Sequence, residues 1–326
     1  MKAVLCKQFC SPEELVIEEV PSLQPGPRQA VISVKGCGIN FPDGLIIQGK
    51  YQAKPAFPFT PGLEVSGVVR EVGADVTGLK AGMRVIGFPG MGGLAEEVAV
   101  DADRIYPIPE QMDFPTAAGF LITYATSHHA LRDRAQLKVG ETLLVLGAAG
   151  GVGLTAVEIG KVLGARVIAV ASTDEKLALC KQHGADVLIN YSNGDLREQV
   201  KKITEGKGVD VVYDPVGGPY AEPMVRSLAW NGRYLVVGFA AGGDIPKIPL
   251  NLLLLKSSAL LGVYWGSFAR ANPQHHAANM QELFAWFIAG KIKPHVSAVY
   301  PLARAGEALS VVMNRQAQGK VVVVTQ

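Results

Sequence analysis

The chain has 326 residues, too many for one small core and enough for two domains of ordinary size. Hydrophobic residues make up 48% and charged residues 18%, which suits a soluble globular enzyme and excludes a disordered chain. A formal net charge of +2 leaves no broad basic field of the kind that nucleic acid or an anionic membrane would require.

The opening MKAVLCKQFC has too short an apolar run to be a secretory signal. The longest apolar stretch, IPLNLLLLKSSALLGVYWG, is interrupted by Lys256 before it reaches the length of a membrane span. A soluble, cytoplasmic protein is expected. Cys6, Cys10, Cys37 and Cys180 are scattered and form no pair of C-x-x-C motifs, so they are expected to be reduced thiols without metal.

Residues 1–118 carry short β-branched runs punctuated by Gly and Pro, among them AVISVKGCGIN, EVSGVVREVG and GMRVIGF. This spacing predicts a compact, mostly antiparallel β domain. From Phe114, FPTAAGFLITYATSHHALRD predicts the start of a helix with Pro115 in its first turn. Beyond Glu141 the texture alternates: TLLVLG, helical LTAVEIGKVLG, ARVIAVAS, helical DEKLALCKQHG, DVLINY, then GVDVVYDPVG and GRYLVVGFA. Apolar strands separated by amphipathic helices predict a parallel sheet covered on both faces.

After Gly266 the alternation stops. ANMQELFAWFIAGKI predicts an amphipathic helix, and AVYPLARAGEALSVVMNRQAQGKVVVVTQ predicts strand, helix and terminal strand. This tail is expected to return to the N-terminal domain. The prediction is an α/β protein: a β-rich domain of residues 1–118 completed by 267–326, and a doubly wound nucleotide-binding domain of 119–266.

The stretch LGAAGGVG, Leu146 to Gly153, joins the first buried strand of that second domain to its first helix. This is the context in which a glycine-rich loop holds a pyrophosphate at a helix N-terminus. Ala149, Gly150, Gly151, Val152 and Gly153 form the candidate cradle, with Ala148 standing where the first glycine of G-x-G-x-x-G is expected. Gly150 would admit the pyrophosphate, and Gly153 would let helix and strand pack closely. An NAD site usually carries Asp or Glu at the end of the second strand. Here RVIAV ends in ASTDEK, with Ala171 in that place, hydroxyls on Ser172 and Thr173, and Lys176 one helical turn on. Hydroxyls plus an ammonium would bind a 2′-phosphate that a carboxylate would repel, so NADPH is the expected cofactor. Asp174, at a helix start, is expected to be an N-cap.

On these motifs, together with GINFPDGLIIQGKY, PGLEVSGVV, GMRVIGF, LINY and GKVVVV, the chain resembles the medium-chain dehydrogenase/reductase superfamily, and within it the zinc-free quinone oxidoreductases. The resemblance implies a GroES-like catalytic domain, a Rossmann domain, a cleft between them, and commonly a homodimer joined through Rossmann sheet edges. Zinc alcohol dehydrogenases of the superfamily place a cysteine where this chain has Asn40, Gly-His-Glu where it has Gly62, Leu63 and Glu64, and a third ligand around Phe120 and Leu121. Leucine cannot ligate zinc and an amide is a poor substitute for thiolate, so no metal is expected and Glu64 is taken as structural. Without a Lewis acid, the favoured acceptor is one that spreads the incoming charge, a quinone or a conjugated carbonyl.

The resemblance places Asn40, Asp43 and Tyr51 in the catalytic domain's share of the site. Asn40 is expected to donate to a substrate oxygen and Asp43 to orient its neighbours. Tyr51 either donates a proton, as a tyrosine at this spacing does in related enoyl-thioester reductases, or shapes the pocket. Leu45 stands where quinone reductases often have another tyrosine. On the cofactor side the resemblance places Thr123 and Val263 beside the nicotinamide, Tyr191 beside the adenosine phosphate, Phe239 over the cofactor, and Lys320 at the mouth of the cleft. The pairs His128–His129 and His275–His276 are expected to be structural, because adjacent helical residues point in different directions. The expected activity is NADPH-dependent reduction of a small conjugated carbonyl or quinone. The alternatives are an enoyl-thioester reductase and a non-catalytic NADPH-binding protein.

Overall fold

The β-branched runs at the start of the chain fold as strands, and the later alternation folds as strand and helix in turn. A computed structural model describes residues 1–325 and divides into two units, Met1–Ile122 with the chain from Pro294 onward, and Thr123–Lys293. In the first unit β1 (Lys2–Leu5) pairs antiparallel with β2 (Val16–Glu19). β3 (Gln29–Ile39) leads into α1 (Phe41–Ile47), followed by β4 (Glu64–Val72), β5 (Arg84–Gly87), β6 (Glu97–Asp101) and β7 (Ile105–Pro107). α2 (Phe114–Ala118) then starts with Pro115 in its first turn and Asp113 accepting the Thr116 N–H at 2.7 Å. Gly119 ends that helix, and α3 (Leu121–His128) begins after it.

The second unit carries β8 (Thr142–Leu146), α4 (Gly151–Val162), β9 (Arg166–Ala171), α5 (Asp174–Gln182) and β10 (Val187–Asn190). It continues with α6 (Leu196–Ile203), β11 (Val209–Asp214), α7 (Ala221–Arg226), β12 (Leu228–Val236), α8 (Asn251–Leu254) and β13 (Ala259–Gly262). Its six strands are all parallel, in the order β10-β9-β8-β11-β12-β13. Leu143 to Leu146 and Val167 to Ala171 are buried along their length, as strands covered on both faces must be. The chain winds outward from β8 through β9 to β10, then crosses back to β11. The order therefore reverses beside β8, and a sheet of this kind binds its ligand at the C-terminal strand ends of such a switch point.

α9 (Trp265–Ala271) and α10 (Pro273–Ile288) come next, and then β14 (Val296–Pro301), α11 (Ala305–Met313) and β15 (Lys320–Val324) return to the first unit. There β14 and β15 extend a sheet of order β14-β15-β3-β4-β5-β7, with β6 also paired to β3. All of its pairings are antiparallel except β14 with β15. α11 supplies Ala305, Ala308 and Leu309 to the same core as Ile32, Val34, Val65 and Val323.

Residues 267–293, expected to complete the first domain, group instead with the second. The reason is polar as well as apolar. Asn279 donates to Asp133 at 3.0 Å, His128 pairs with Glu282 at 2.7 Å, and Phe268 stacks on His129 at 3.8 Å. His128 and His129 thus meet different carboxylates, Glu282 and Asp133. Among the described residues no helix is long and apolar enough to cross a membrane.

Candidate functional site

At the C-terminal end of β8 the chain turns at Gly147, whose φ of 57° lies in the left-handed region. α4 starts at Gly151 with Gly150 as its N-cap and no capping side chain, which leaves its first N–H groups to an anion. A Cβ on Gly153 would stand 2.2 Å from the Gly147 oxygen, so only glycine lets the helix lie this close to the turn. The working spacing is Gly147, Gly150 and Gly153. Matching G-x-G-x-x-G misses Gly147, because that pattern looks for its glycine at Ala148. Ala149 is buried within the turn. Val152 O accepts from Ser127 Oγ at 2.9 Å, and Thr155 Oγ1 donates to Thr123 O at 3.1 Å. Ser127 Oγ also lies 2.8 Å from both Thr155 Oγ1 and Tyr213 OH, so a buried hydroxyl cluster ties Thr123 to the first turns of α4.

β9 ends at Ala171, opposite Asn190 of β10. Just beyond, Lys176 Nζ donates to Ser172 Oγ at 3.3 Å, and Ser192 Oγ donates to Ser172 O at 3.0 Å. The ammonium and hydroxyl expected to receive a 2′-phosphate are therefore neighbours. The cap of α5 is a correction: Thr173, not Asp174, is the N-cap, its Oγ1 accepting the Lys176 N–H at 3.3 Å. Asp174 is the first helical residue and accepts from Asn190 Nδ2 at 2.8 Å. Tyr191, next along, has its ring 4.9 Å from that of Tyr220. Phe239 is 43% exposed and lies against Gly217. Val263 is buried, its N–H donating to Val236 O at 2.9 Å.

Sequence reasoning passes over Asp214, which is buried at the end of β11. Its Oδ1 accepts the Val216 and Gly217 N–H groups at 2.7 and 2.8 Å, and its Oδ2 accepts from Tyr234 OH. Burial pushes its carboxyl above the ordinary value. The turn it holds sits beside the cradle, since a Cβ on Gly147 would meet Val216 Cγ2 at 2.8 Å.

In the first unit Asn40, Asp43, Glu64 and Lys320 meet at the end of β3. Asn40 Nδ2 donates to Gly38 O at 3.1 Å and to Glu64 Oε1 at 2.9 Å, while Asn40 Oδ1 accepts from Lys320 Nζ at 2.9 Å. Lys320 Nζ also donates to Ile39 O at 2.9 Å and Glu64 Oε1 at 2.7 Å. Glu64 Oε2 accepts the Ile122 N–H at 2.8 Å. Asn40 was expected to offer a donor to substrate, but both hydrogens of its amide are engaged within the protein. Lys320, expected near the cofactor, is 6% exposed and belongs to this cluster. A Cβ on Gly38 would stand 2.1 Å from Ala118 O and 2.7 Å from Glu64 Oε1, so glycine is what admits both the α2 backbone and the carboxylate.

Asp43 Oδ2 accepts the Asn40 N–H at 2.8 Å and so holds the start of α1. Burial pushes the Asp43 carboxyl up to about 7, against the pull of the Asn40 N–H and the Lys320 ammonium. Tyr51 follows α1 and packs, half-buried, on the apolar core of this unit.

The zinc positions fail a test of fit on their chemistry. Asn40 is already engaged, Glu64 is neutralised by Lys320, and Leu63, Phe120 and Leu121 carry no donor atom in their side chains. Among the described residues no group of three or more His, Cys, Asp or Glu could hold a metal ion.

Two family models match the chain, an alcohol dehydrogenase GroES-like domain over residues 26–110 and a zinc-binding dehydrogenase over 151–286. The second match contains none of the zinc positions tested above. The chain is 43% identical over 321 residues to Quinone oxidoreductase-like protein 2 of Bos taurus, covering 98% of this chain and 91% of the relative. The crystal structure of Escherichia coli quinone oxidoreductase complexed with NADPH superposes with a TM-score of 0.94 at 30% identity, covering 99% of this chain and 100% of that one. The CurK enoyl reductase superposes with a TM-score of 0.90 at 26% identity, covering 99% and 98%. With the parallel sheet, the glycine cradle and identity along nearly the whole length, this chain belongs to the zinc-free quinone oxidoreductase family of the medium-chain dehydrogenase/reductase superfamily.

Proposed function

We propose that the chain is a zinc-independent, NADPH-dependent reductase of quinones or other conjugated, α,β-unsaturated carbonyls. The observation that carries the cofactor half is the contact of Lys176 Nζ with Ser172 Oγ at the end of β9, where Ala171 replaces a carboxylate. When bound, NADPH supplies the hydride. The N-terminus of α4 and the turn at Gly147 hold the pyrophosphate, Ser172, Thr173 and Lys176 hold the 2′-phosphate, and Tyr191 flanks the adenosine. Thr123, Phe239 and Val263 border the nicotinamide.

The donor chemistry of Asn40, Leu63, Glu64 and Leu121 supports a reaction without zinc. An acceptor that delocalises its new charge over a conjugated system needs only hydrogen bonds and a weak acid, and the Tyr51 phenol supplies the acid. Asn40 and Asp43 hold the start of the helix that leads to Tyr51. Initial rates with NADPH and NADH against a panel of quinones and enones test this. A higher kcat/KM with NADPH on at least one conjugated acceptor is expected; preference for NADH, or no turnover of any acceptor, refutes it.

The same reading includes a homodimer. β13 ends its sheet, and beside it Leu250, Leu254 and Leu255 are 75%, 80% and 69% exposed, an apolar surface that a second copy would cover. A second reading, enoyl-thioester reduction, draws support from the likeness to CurK and from the Asn40-to-Tyr51 spacing. Faster reduction of an enoyl-CoA than of any free quinone would favour it.

A further inference from the structure

The polar cluster at the end of β3 contains a cation of its own. An ammonium that is 6% exposed is costly to bury unless every N–H finds an acceptor. Lys320 meets that condition fully, with three donors and three oxygens: Ile39 O at 2.9 Å, Asn40 Oδ1 at 2.9 Å and Glu64 Oε1 at 2.7 Å. Two of these oxygens belong to Asn40 and Glu64, which lie in the segments that carry zinc ligands in the metal-dependent members of the superfamily. The stem of Lys320 runs over the turn between α2 and α3, where a Cβ on Gly119 would meet its Cβ and Cγ at 3.1 Å.

We propose that Lys320 is a tethered cation that does here the organising work of a metal ion, closing a three-oxygen cage and positioning the Asn40 amide. The polarity of the cage permits one orientation of that amide. Its oxygen meets the ammonium and its nitrogen meets the Glu64 carboxylate, and a flip would set like against like at both ends. Asn40 is also the N-cap of α1, so the cation fixes the start of the helix that carries Asp43 and leads to Tyr51. Lys320 touches no reacting group in this arrangement and acts through Asn40. A divalent ion has no place in the cage while the ammonium holds its one carboxylate. The exchange of cation lies in the first unit, outside the 151–286 segment that the zinc-binding dehydrogenase model matches.

Chemical rescue tests the cage without reference to substrate, so its outcome is separate from that of the proposed reaction. Lys320→Ala removes the equivalent of n-propylammonium and leaves Glu64 buried without its countercharge. The melting temperature should fall by about 10 °C. Added n-propylammonium chloride should restore much of that loss, and tetramethylammonium chloride, equally charged but without N–H donors, should not. In 15N-labelled protein the Asn40 side-chain amide resonance should move in Lys320→Ala and return with n-propylammonium. An undiminished melting temperature, equal rescue by both cations, or an unmoved Asn40 amide overturns the proposal.

If Lys320→Ala does not fold, Glu64→Gln is compared with Glu64→Gln/Lys320→Met. The double variant should be the more stable, because the single one strands the ammonium; the reverse order overturns the cage. Wild-type protein that retains one zinc per chain after incubation with zinc and desalting overturns the exchange of cation.

Discussion

Asp43→Asn isolates the electrostatic cost of the buried end of α1. Asp43 is fully buried, and its carboxylate accepts the Asn40 N–H at 2.8 Å, an acceptor that asparagine keeps at nearly the same volume. Burial raises the carboxyl from an ordinary 3.8 to about 7. Between those values the folded chain holds a proton that the unfolded chain has released. Stability contributed by this group is present below the lower value and is lost as pH rises toward the upper one. At about 1.4 kcal/mol for each pH unit, the full effect is roughly 4 kcal/mol, and partial relaxation around the site brings the expected range to about 2–4 kcal/mol. Carboxylates whose values are lowered by partners, such as Asp133 and Asp186, pull stability the other way but do so equally in both proteins. The assay is urea unfolding of wild type and variant at a series of pH values, read as the difference between them. That difference should shift in the variant's favour by the stated amount between about pH 4 and pH 8. A difference that stays flat, or moves toward the wild type, refutes burial as the dominant influence on this carboxyl.

Other perturbations address the cofactor and the acceptor. Lys176→Ala should weaken NADPH binding by about 10–100-fold, the worth of one charge-assisted hydrogen bond, and leave NADH binding unchanged in parallel fluorescence titrations. Gly153→Val places carbon within 2.2 Å of Gly147 O and 2.9 Å of Ala148 Cα, so it should displace α4 and abolish binding of both nucleotides by calorimetry. Tyr51→Phe should lower kcat about 100-fold at unchanged KM for the acceptor; an unaltered kcat would leave the phenol only a wall of the pocket. Leu254→Lys, at a position 80% exposed beside the outer strand β13, should yield monomers in sedimentation velocity with the fold intact by circular dichroism.

What the amino-acid sequence made legible was local. The step from TLLVLG to a glycine run to LTAVEIGKVLG is a strand, a turn and a helix in direct succession, and each leaves its own periodicity. The pattern at β9 likewise put Ser172 and Lys176 within one helical turn of each other, and the fold brings them together as that spacing requires. The cap of α5 falls one residue before the sequence expectation because Thr and Asp both make good N-caps. Only the backbone turn decides between them, and it favours Thr173. The course of α9 and α10 departs from the sequence expectation because an amphipathic face says that a helix packs but not against what. Asn279 and Glu282 settle that by meeting Asp133 and His128, about 150 residues earlier. The contact of Lys320 with Asn40 and Glu64 had no sequence signal at all. It bridges 280 and 256 positions and depends on the pairing of β15 with β3.

That pairing imposes an order on biosynthesis. β15 bonds to β3 through Val321–Ile39, Val322–Gly38 and Val323–Cys37, so the middle of the first sheet awaits a strand that follows all of Thr123–Lys293. During translation the nucleotide-binding unit is complete while the earlier unit still lacks the partner of the Cys37–Ile39 end of β3 and the countercharge of Glu64. The segment made first is thus the last to finish folding. A nascent chain stalled before Lys320 exposes the end of a central strand and leaves Glu64 without a cation, features that recruit chaperones or proteolysis.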